Sequence, residues 1–170
     1  MTYKKVKLSQ FAKIFSGTDY KKNKKGEEYP IYGTGGIMGY TGNFLYEGPA
    51  VLTGRKGTID KPIYVEEKFW NVDTIFCVKP FDDTDIKYFY YALCNKNLSL
   101  LNEATGVPSV SSENLYKLKF SIPTNIAEQQ AISKRLSNID SLIQKEEALL
   151  SKYRKIKDGL MDKLLTMSNE

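Results

Sequence analysis

Near the N-terminus, apolar Val6, Leu8, Phe11, Ile14 and Phe15 fall close to helical spacing ahead of Gly17, a pattern that predicts a short helix. The stretch that follows, TDYKKNKKGEEYP, has no hydrophobic face and reads as an exposed basic loop. From Tyr29 to Val78 the pattern becomes short apolar runs broken by Gly and Pro: YPIYGTGG, IMGY, GPAVLTG, KPIYVEE and NVDTIFCVKP. Such runs are too short for helices and predict a small, strongly bent and bulged sheet, with glycine taking up backbone geometry that other residues resist. DTDIKYFYYALCNKNLSLL opens with Asp and Thr caps and keeps Ile86, Phe89, Tyr90, Leu93 and Leu98 at helical spacing, so a moderate helix packs on that sheet. A Gly/Pro/Ser loop, a short turn beginning near Ser112 and the alternating strand LKFSIP come next, and Pro123 closes the strand.

After Pro123 the periodicity changes again, since residues 124–170 hold no proline and the single glycine Gly159. One long helix is expected to about Leu165, capped by Thr124 or Asn125, with Glu128 three residues past Asn125 as in a capping box. With Ile132 at heptad position a, the a positions are Ile132, Ile139, Glu146, Tyr153 and Leu160. The d positions are Arg135, Leu142, Leu149, Ile156 and Lys163, while Leu136, Ile143, Leu150 and Leu164 stand at e. This stripe is broader than a two-stranded seam and is interrupted by Glu146, Arg135 and Lys163. A helix of that length, roughly 60 Å at 1.5 Å per residue, outreaches the domain before it, so its stripe is covered by a second long helix or else folds back on its own domain.

Composition narrows the class. The 170 residues suit one compact domain plus an extended element, and 41% hydrophobic against 26% charged residues favours a folded, soluble chain. No apolar run approaches a membrane span or a signal peptide, which reads as cytoplasmic. Cys77 and Cys94 sit in apolar contexts and are expected to be buried thiols, and no metal-ligand spacing occurs. The chain has no histidine, which removes the usual general base and every Ser-His or Cys-His nucleophile. The net charge of +5 is uneven: +7 over residues 1–25, −3 over residues 26–124 and +1 over residues 125–170. A positive end on an otherwise balanced chain suits a polyanionic partner, or else is a solvated lysine surface.

TGRKGTID, Thr53 to Asp60, has the composition of a phosphate-cradling loop, but Gly54 and Gly57 are only three apart and the run leads into a strand, so it is not a P-loop. GTGGIMG likewise lacks the dinucleotide-binding spacing. The one enzymatic rival that needs no histidine is a carboxylate nuclease built on Glu66-x-Lys68 with Asp60, where Glu66 and Glu67 stand at a solvated hairpin turn. The reading that uses most residues is a DNA binder. Lys21, Lys22, Lys24, Lys25, Arg55, Lys56 and Lys61 would neutralise phosphates, and Tyr32, Tyr40, Thr34, Thr53 and Thr58 would donate hydrogen bonds from glycine-rich loops. Arg55 or Lys56 in a groove would favour guanine.

Four segments together resemble the specificity subunit of Type I restriction-modification enzymes: YPIYGTGGIMGY (29–40), VLTGRKGTIDKPIYVEEKFWNVDTIF (51–76), ATGVPSVSSENLYKLKFSIP (104–123) and EQQAISKRLSNIDSLI (128–143). The resemblance implies an α+β fold: a bent β-rich target recognition domain with short helices over residues 1–123, then a spacer and dimerisation helix over residues 124–170. Family members carry two such domains and two antiparallel helices in one chain, each domain reading half of a bipartite DNA site. This sequence resembles one half. It is therefore expected either to pair with a second copy through Ile132, Leu136, Ile139, Leu142, Ile143, Leu149, Leu150, Tyr153, Ile156, Leu160 and Leu164, or to be a truncated chain. The family's partners are methyltransferase subunits, which use S-adenosylmethionine, and a restriction subunit, which hydrolyses ATP. Neither a methyltransferase nor an ATPase motif occurs here, so no cofactor and no catalysis are expected of this chain. Rival classes are a homodimeric DNA-binding regulator, the carboxylate nuclease and a plain coiled-coil scaffold.

Overall fold

The computed structural model describes residues 2–21 and 26–166. Among the described residues ten strands and three α-helices follow in the order β1 (Tyr3–Lys7), β2 (Ala12–Ser16), β3 (Tyr29–Gly33), β4 (Gly36–Thr41), β5 (Tyr46–Glu47), β6 (Ala50–Gly54), β7 (Ile63–Val65), β8 (Lys68–Asn71), β9 (Ile75–Pro80), α1 (Ile86–Cys94), α2 (Ser112–Tyr116), β10 (Lys119–Pro123) and α3 (Ile126–Thr166). They form not one bent sheet but a β1–β10 ribbon and two four-stranded sheets, ordered β2-β9-β6-β7 and β4-β3-β8-β5. The expected bulge lies in the β3–β4 pair, where the register shifts between Ile31 and Tyr32.

The sheet β2-β9-β6-β7 is buried on both faces, which is why AVLTG and IFCV read as nearly continuous apolar runs. Successive side chains of a strand point to opposite sides. Accordingly Val51, Phe76 and Val78 join one core with Leu8, Phe89, Leu93 and Phe120, whereas Leu52, Ile75 and Cys77 join a second with Ile31, Phe69 and Trp70. Phe11 centres the first core, its ring edge-on to Phe89 at 5.7 Å and to Phe120 at 5.3 Å.

The N-terminal helix expected over Val6–Phe15 is not formed. The segment is two strands joined by a 3-10 turn at Leu8–Gln10, β1 pairing with β10 and β2 with β9. Ile14 packs toward the first core and Phe15 toward the second, so neighbours in sequence serve opposite faces of a strand. Glu66 and Glu67 do not cap a hairpin either, because β7 pairs with β6 and β8 with β3 and β5. Cys77 is buried but Cys94, expected to be buried too, is exposed at the end of α1. Burial pushes the Cys77 thiol up to about 12. A disulfide reagent at pH 8 is therefore expected to label one of the two thiols rapidly in the folded chain and both after unfolding, measured by thionitrobenzoate release.

Asp85 caps α1 by accepting from the Tyr88 amide at 2.7 Å. The first turns of α3 are tied to that cap by Gln129, fully buried, whose amide oxygen accepts from the Asp85 amide at 2.8 Å and whose nitrogen donates to the Pro123 carbonyl at 2.9 Å. Asn125 caps α3 by accepting from the Ala127 amide at 2.9 Å and not from the Glu128 amide as a capping box requires; that amide donates to the Asn125 carbonyl at 3.1 Å, and one carboxylate oxygen of Glu128 is buried without a hydrogen-bond partner. Two compact units result, Met1–Ile132 and Ser133–Glu170. Ile132, assigned to the helix stripe, instead packs on the first core. In the second unit Leu136, Ile139, Leu142, Ile143, Leu149, Leu150, Tyr153, Ile156, Leu160 and Leu164 are all exposed. Among the described residues no helix is long and apolar enough to cross a membrane.

Candidate nucleic-acid interface

Five connecting segments converge where β2 and β6 end and β9 begins. Thr18 donates its amide to the Asn71 carbonyl at 3.0 Å, and the Trp70 indole donates to the Thr18 carbonyl at 2.9 Å, binding the loop after β2 to the β8–β9 turn. The amides of Arg55 and Lys56 both donate to the Thr74 carbonyl, at 2.8 and 3.0 Å. The segment before α2 closes over the same loop: Gly57 donates to the Pro108 carbonyl at 2.8 Å and Val110 to the Arg55 carbonyl at 2.9 Å. Gly57 has φ +101, left-handed geometry suited to glycine, and a side chain there would meet the Thr34 hydroxyl at 3.2 Å. The β3–β4 turn is thereby seated against TGRKGTID.

Two open clefts share Asp73 and Thr74 as their common wall. One, of about 700 Å³, is bordered by Lys21, Thr34, Ile37 and Met38. The other, of about 440 Å³, is bordered by Arg55, Lys56, Glu103 and Ser109. The Arg55 guanidinium lies 5.7 Å from the Phe76 ring centre, which orients it while leaving the residue exposed. The edge is not uniformly cationic. Glu103 accepts from the Ser111 hydroxyl at 2.7 Å, and that hydrogen bond, with a second from the Ser111 amide, holds its carboxyl below the usual carboxylate range.

The structure thus brings together Lys21, Thr34, Arg55 and Lys56. Thr58 is half-buried behind the loop, and Lys61 is exposed just ahead of β7 without bordering either cleft. Lys22, Lys24 and Lys25 lie outside the described residues. Tyr32, expected to offer its hydroxyl to DNA, is a core side chain 7% exposed that donates to Glu67 at 2.8 Å, and burial followed by that bond raises its phenol well above the ordinary value. Thr53 is likewise buried. Its place on a strand covered on both faces explains this, and the run AVLT was the signal. Exposed Ile37 and Met38, on the β4 side of the glycine turn, were not singled out, although GTGGIMG sets two apolar residues beside a tight turn. The nuclease pair is divided between partners: Glu66 lies 3.5 Å from Lys87, while Lys68 lies 3.9 Å from Glu47 and 4.7 Å from the Phe44 ring centre.

The family model for the Type I restriction modification DNA specificity domain matches residues 1–152. The chain belongs to this family. Solved structures agree in fold. The specificity domain is similar to the S subunit of a Type I restriction-modification system from M. genitalium, with a TM-score of 0.79 at 20% identity over 99% of this chain and 47% of that one. It is also similar to a chain from a study of complex assembly and conformational transition in the Type I R-M system, with a TM-score of 0.69 at 15% identity over 95% and 43%. A third likeness is to the HsdS subunit from Thermoanaerobacter tengcongensis, with a TM-score of 0.65 at 14% identity over 84% and 38%. The specificity domain spans less than half the length of each of these chains. No match was found among curated proteins.

Proposed function

We propose that the specificity domain reads one half of a bipartite DNA site and that its long helix docks methyltransferase subunits, the chemistry of methylation and cleavage belonging to other chains. The observation that carries the reading is the convergence of five loops on one edge, where Arg55, Lys56, Lys21 and Thr34 border two clefts with a common wall. Arginine and lysine there neutralise phosphates or donate to guanine, and the exposed Ile37 and Met38 offer apolar contact to thymine methyl groups. Two copies paired through their helices would present two such edges, and two-fold symmetry of the protein would make the site an interrupted palindrome. The M. genitalium S subunit, about twice this length, supports a paired arrangement.

Replacing Arg55 and Lys56 by alanine is expected to weaken duplex binding and to lower the slope of log K against log salt by roughly two for each recognition domain engaged. Both side chains are exposed, so the melting temperature should stay within about 2 °C. Fluorescence anisotropy across a salt series, beside a thermal melt, measures both. Unchanged affinity and slope would remove this edge as the DNA surface. Reconstitution with candidate methyltransferase subunits and genome-wide methylation mapping tests the partner and returns the site.

A further inference from the structure

The +7 charge of residues 1–25 is not one patch. Lys4 is paired with Asp83 at 2.8 Å, Lys13 lies 5.3 Å from the Phe15 ring centre and Lys21 borders the recognition edge. Lys5 and Lys7 go elsewhere. In the β1–β10 register Lys5 faces Ser121 and Lys7 faces Lys119, so these side chains share the exposed face of the ribbon, while Val6 and Phe120 turn inward to the core. With Lys96, whose ammonium lies 5.0 Å from the Phe120 ring centre, they line a groove of about 580 Å³. Among the described residues none of these four lysines has an ion-pair partner.

This groove is separate from the recognition edge. In the pairing of β2 with β9, Ser16 faces Phe76 at the end where the recognition loops converge, and Ala12 faces Pro80 at the other. The ribbon joins at the Ala12 end, where the Leu8 amide donates to Leu118 at 2.9 Å and Phe81 to Phe11 at 2.8 Å, and Lys7 and Lys119 flank that junction. The two ends are separated by the length of five-residue strands, roughly 15 Å. One turn of duplex is about 34 Å, longer than that separation.

We propose that the lysine face of the β1–β10 ribbon is a second, sequence-independent contact for the phosphate backbone of the duplex whose bases meet the recognition edge. The inference rests on the DNA-reading function proposed above. Its charged groups are all lysine, a strongly hydrated point charge that is depleted from the cores of protein interfaces and well suited to phosphate. Same-face residues of a strand lie about 7 Å apart, close to the step between neighbouring phosphates on one strand. Backbone contact at this face holds the domain on the duplex without influencing which bases are read.

The test uses the full chain and a mixed-sequence 20-base-pair duplex in an anisotropy salt series. Lys5→Gln/Lys7→Gln/Lys119→Gln is expected to lower the slope of log K against log salt by about three for each domain engaged and to weaken binding roughly tenfold or more. The corresponding triple arginine variant should restore both, which separates lost charge from lost folding. Lys145→Gln/Lys152→Gln/Lys155→Gln removes the same charge from α3 and should leave the slope unchanged. An equal loss in that variant reduces the effect to net charge and overturns the proposal. An unchanged slope in the ribbon variant also overturns it, leaving the groove to an acidic protein surface. If the parent chain binds no duplex at all, the DNA-reading function falls first.

Discussion

Gly54→Ala is expected to destabilise the first compact unit by about 3 kcal/mol or more, because the added carbon has no space that a side-chain rotation could open. A Cβ at Gly54 would stand 2.0 Å from the Thr58 carbonyl oxygen and 2.8 Å from the Ile59 Cα, both backbone atoms of the loop that folds back over it. For a chain of this size the loss corresponds to a melting temperature lower by roughly 6–12 °C. Gly54 ends β6, and the next residues carry the two amides bonded to Thr74, so the backbone shift that relieves the clash also displaces Arg55 and Lys56. DNA binding and stability should therefore fall together, unlike in the Arg55/Lys56 variant. Gly35→Ala is the matched control: nothing lies within 4 Å of a Cβ there, and its melting temperature should hardly move. A Gly54→Ala chain as stable as its parent would show that TGRKGTID does not fold back as described.

Leu142→Glu/Leu149→Glu is expected to convert a helix-paired dimer to monomer, raising its dissociation constant about a thousandfold or more. The parent helix leaves Leu142 55% and Leu149 41% exposed, within a row that continues through Ile156 and Leu160. Burying a leucine contributes about 1.5–3 kcal/mol, and a two-fold pair loses each side chain twice. Both residues belong to the second compact unit, outside the core of the first, so the melting transition of the first unit should be retained. Light scattering coupled to size-exclusion chromatography at roughly tens of micromolar gives the mass. A monomeric parent at that concentration overturns self-pairing and assigns the stripe to a different partner chain.

Local pattern was enough wherever an element's signal lies within the element. The 41-residue α3 is announced by the loss of proline and by apolar residues at three- and four-residue steps, and its end at Thr166 is one residue past the expected Leu165. The short runs between Tyr29 and Val78 gave β3, β4, β6, β7 and β9 for the same reason, while two-residue β5 had too little length to show a period and β8, whose last three residues are all buried, shows no apolar-polar alternation. The N-terminal strands could not be seen this way. Their partners lie 60 residues away or more at β9 and more than 110 away at β10, and the spacing of Val6, Leu8 and Phe11 fits a helix as well as two strands around a turn.

The candidate site divides along the same line. Residue chemistry alone marked TGRKGTID and its glycines, because two cations between turn residues announce an exposed loop that close backbone approach permits. That Arg55 stands beside Thr74, Ser109 and Glu103, that Thr34 meets Gly57, that Tyr32 is withdrawn into the core, and that Lys5 and Lys7 align with Lys119 are products of tertiary pairing. By itself the sequence determined the family, the β-rich unit followed by one long helix, and the basic character of the N-terminal segment. Where Lys5, Lys7 and Lys13 stand in the fold was decided only when β1 found β10 and β2 found β9, since a strand chooses the face of a side chain by register with a distant partner and not by its own neighbours.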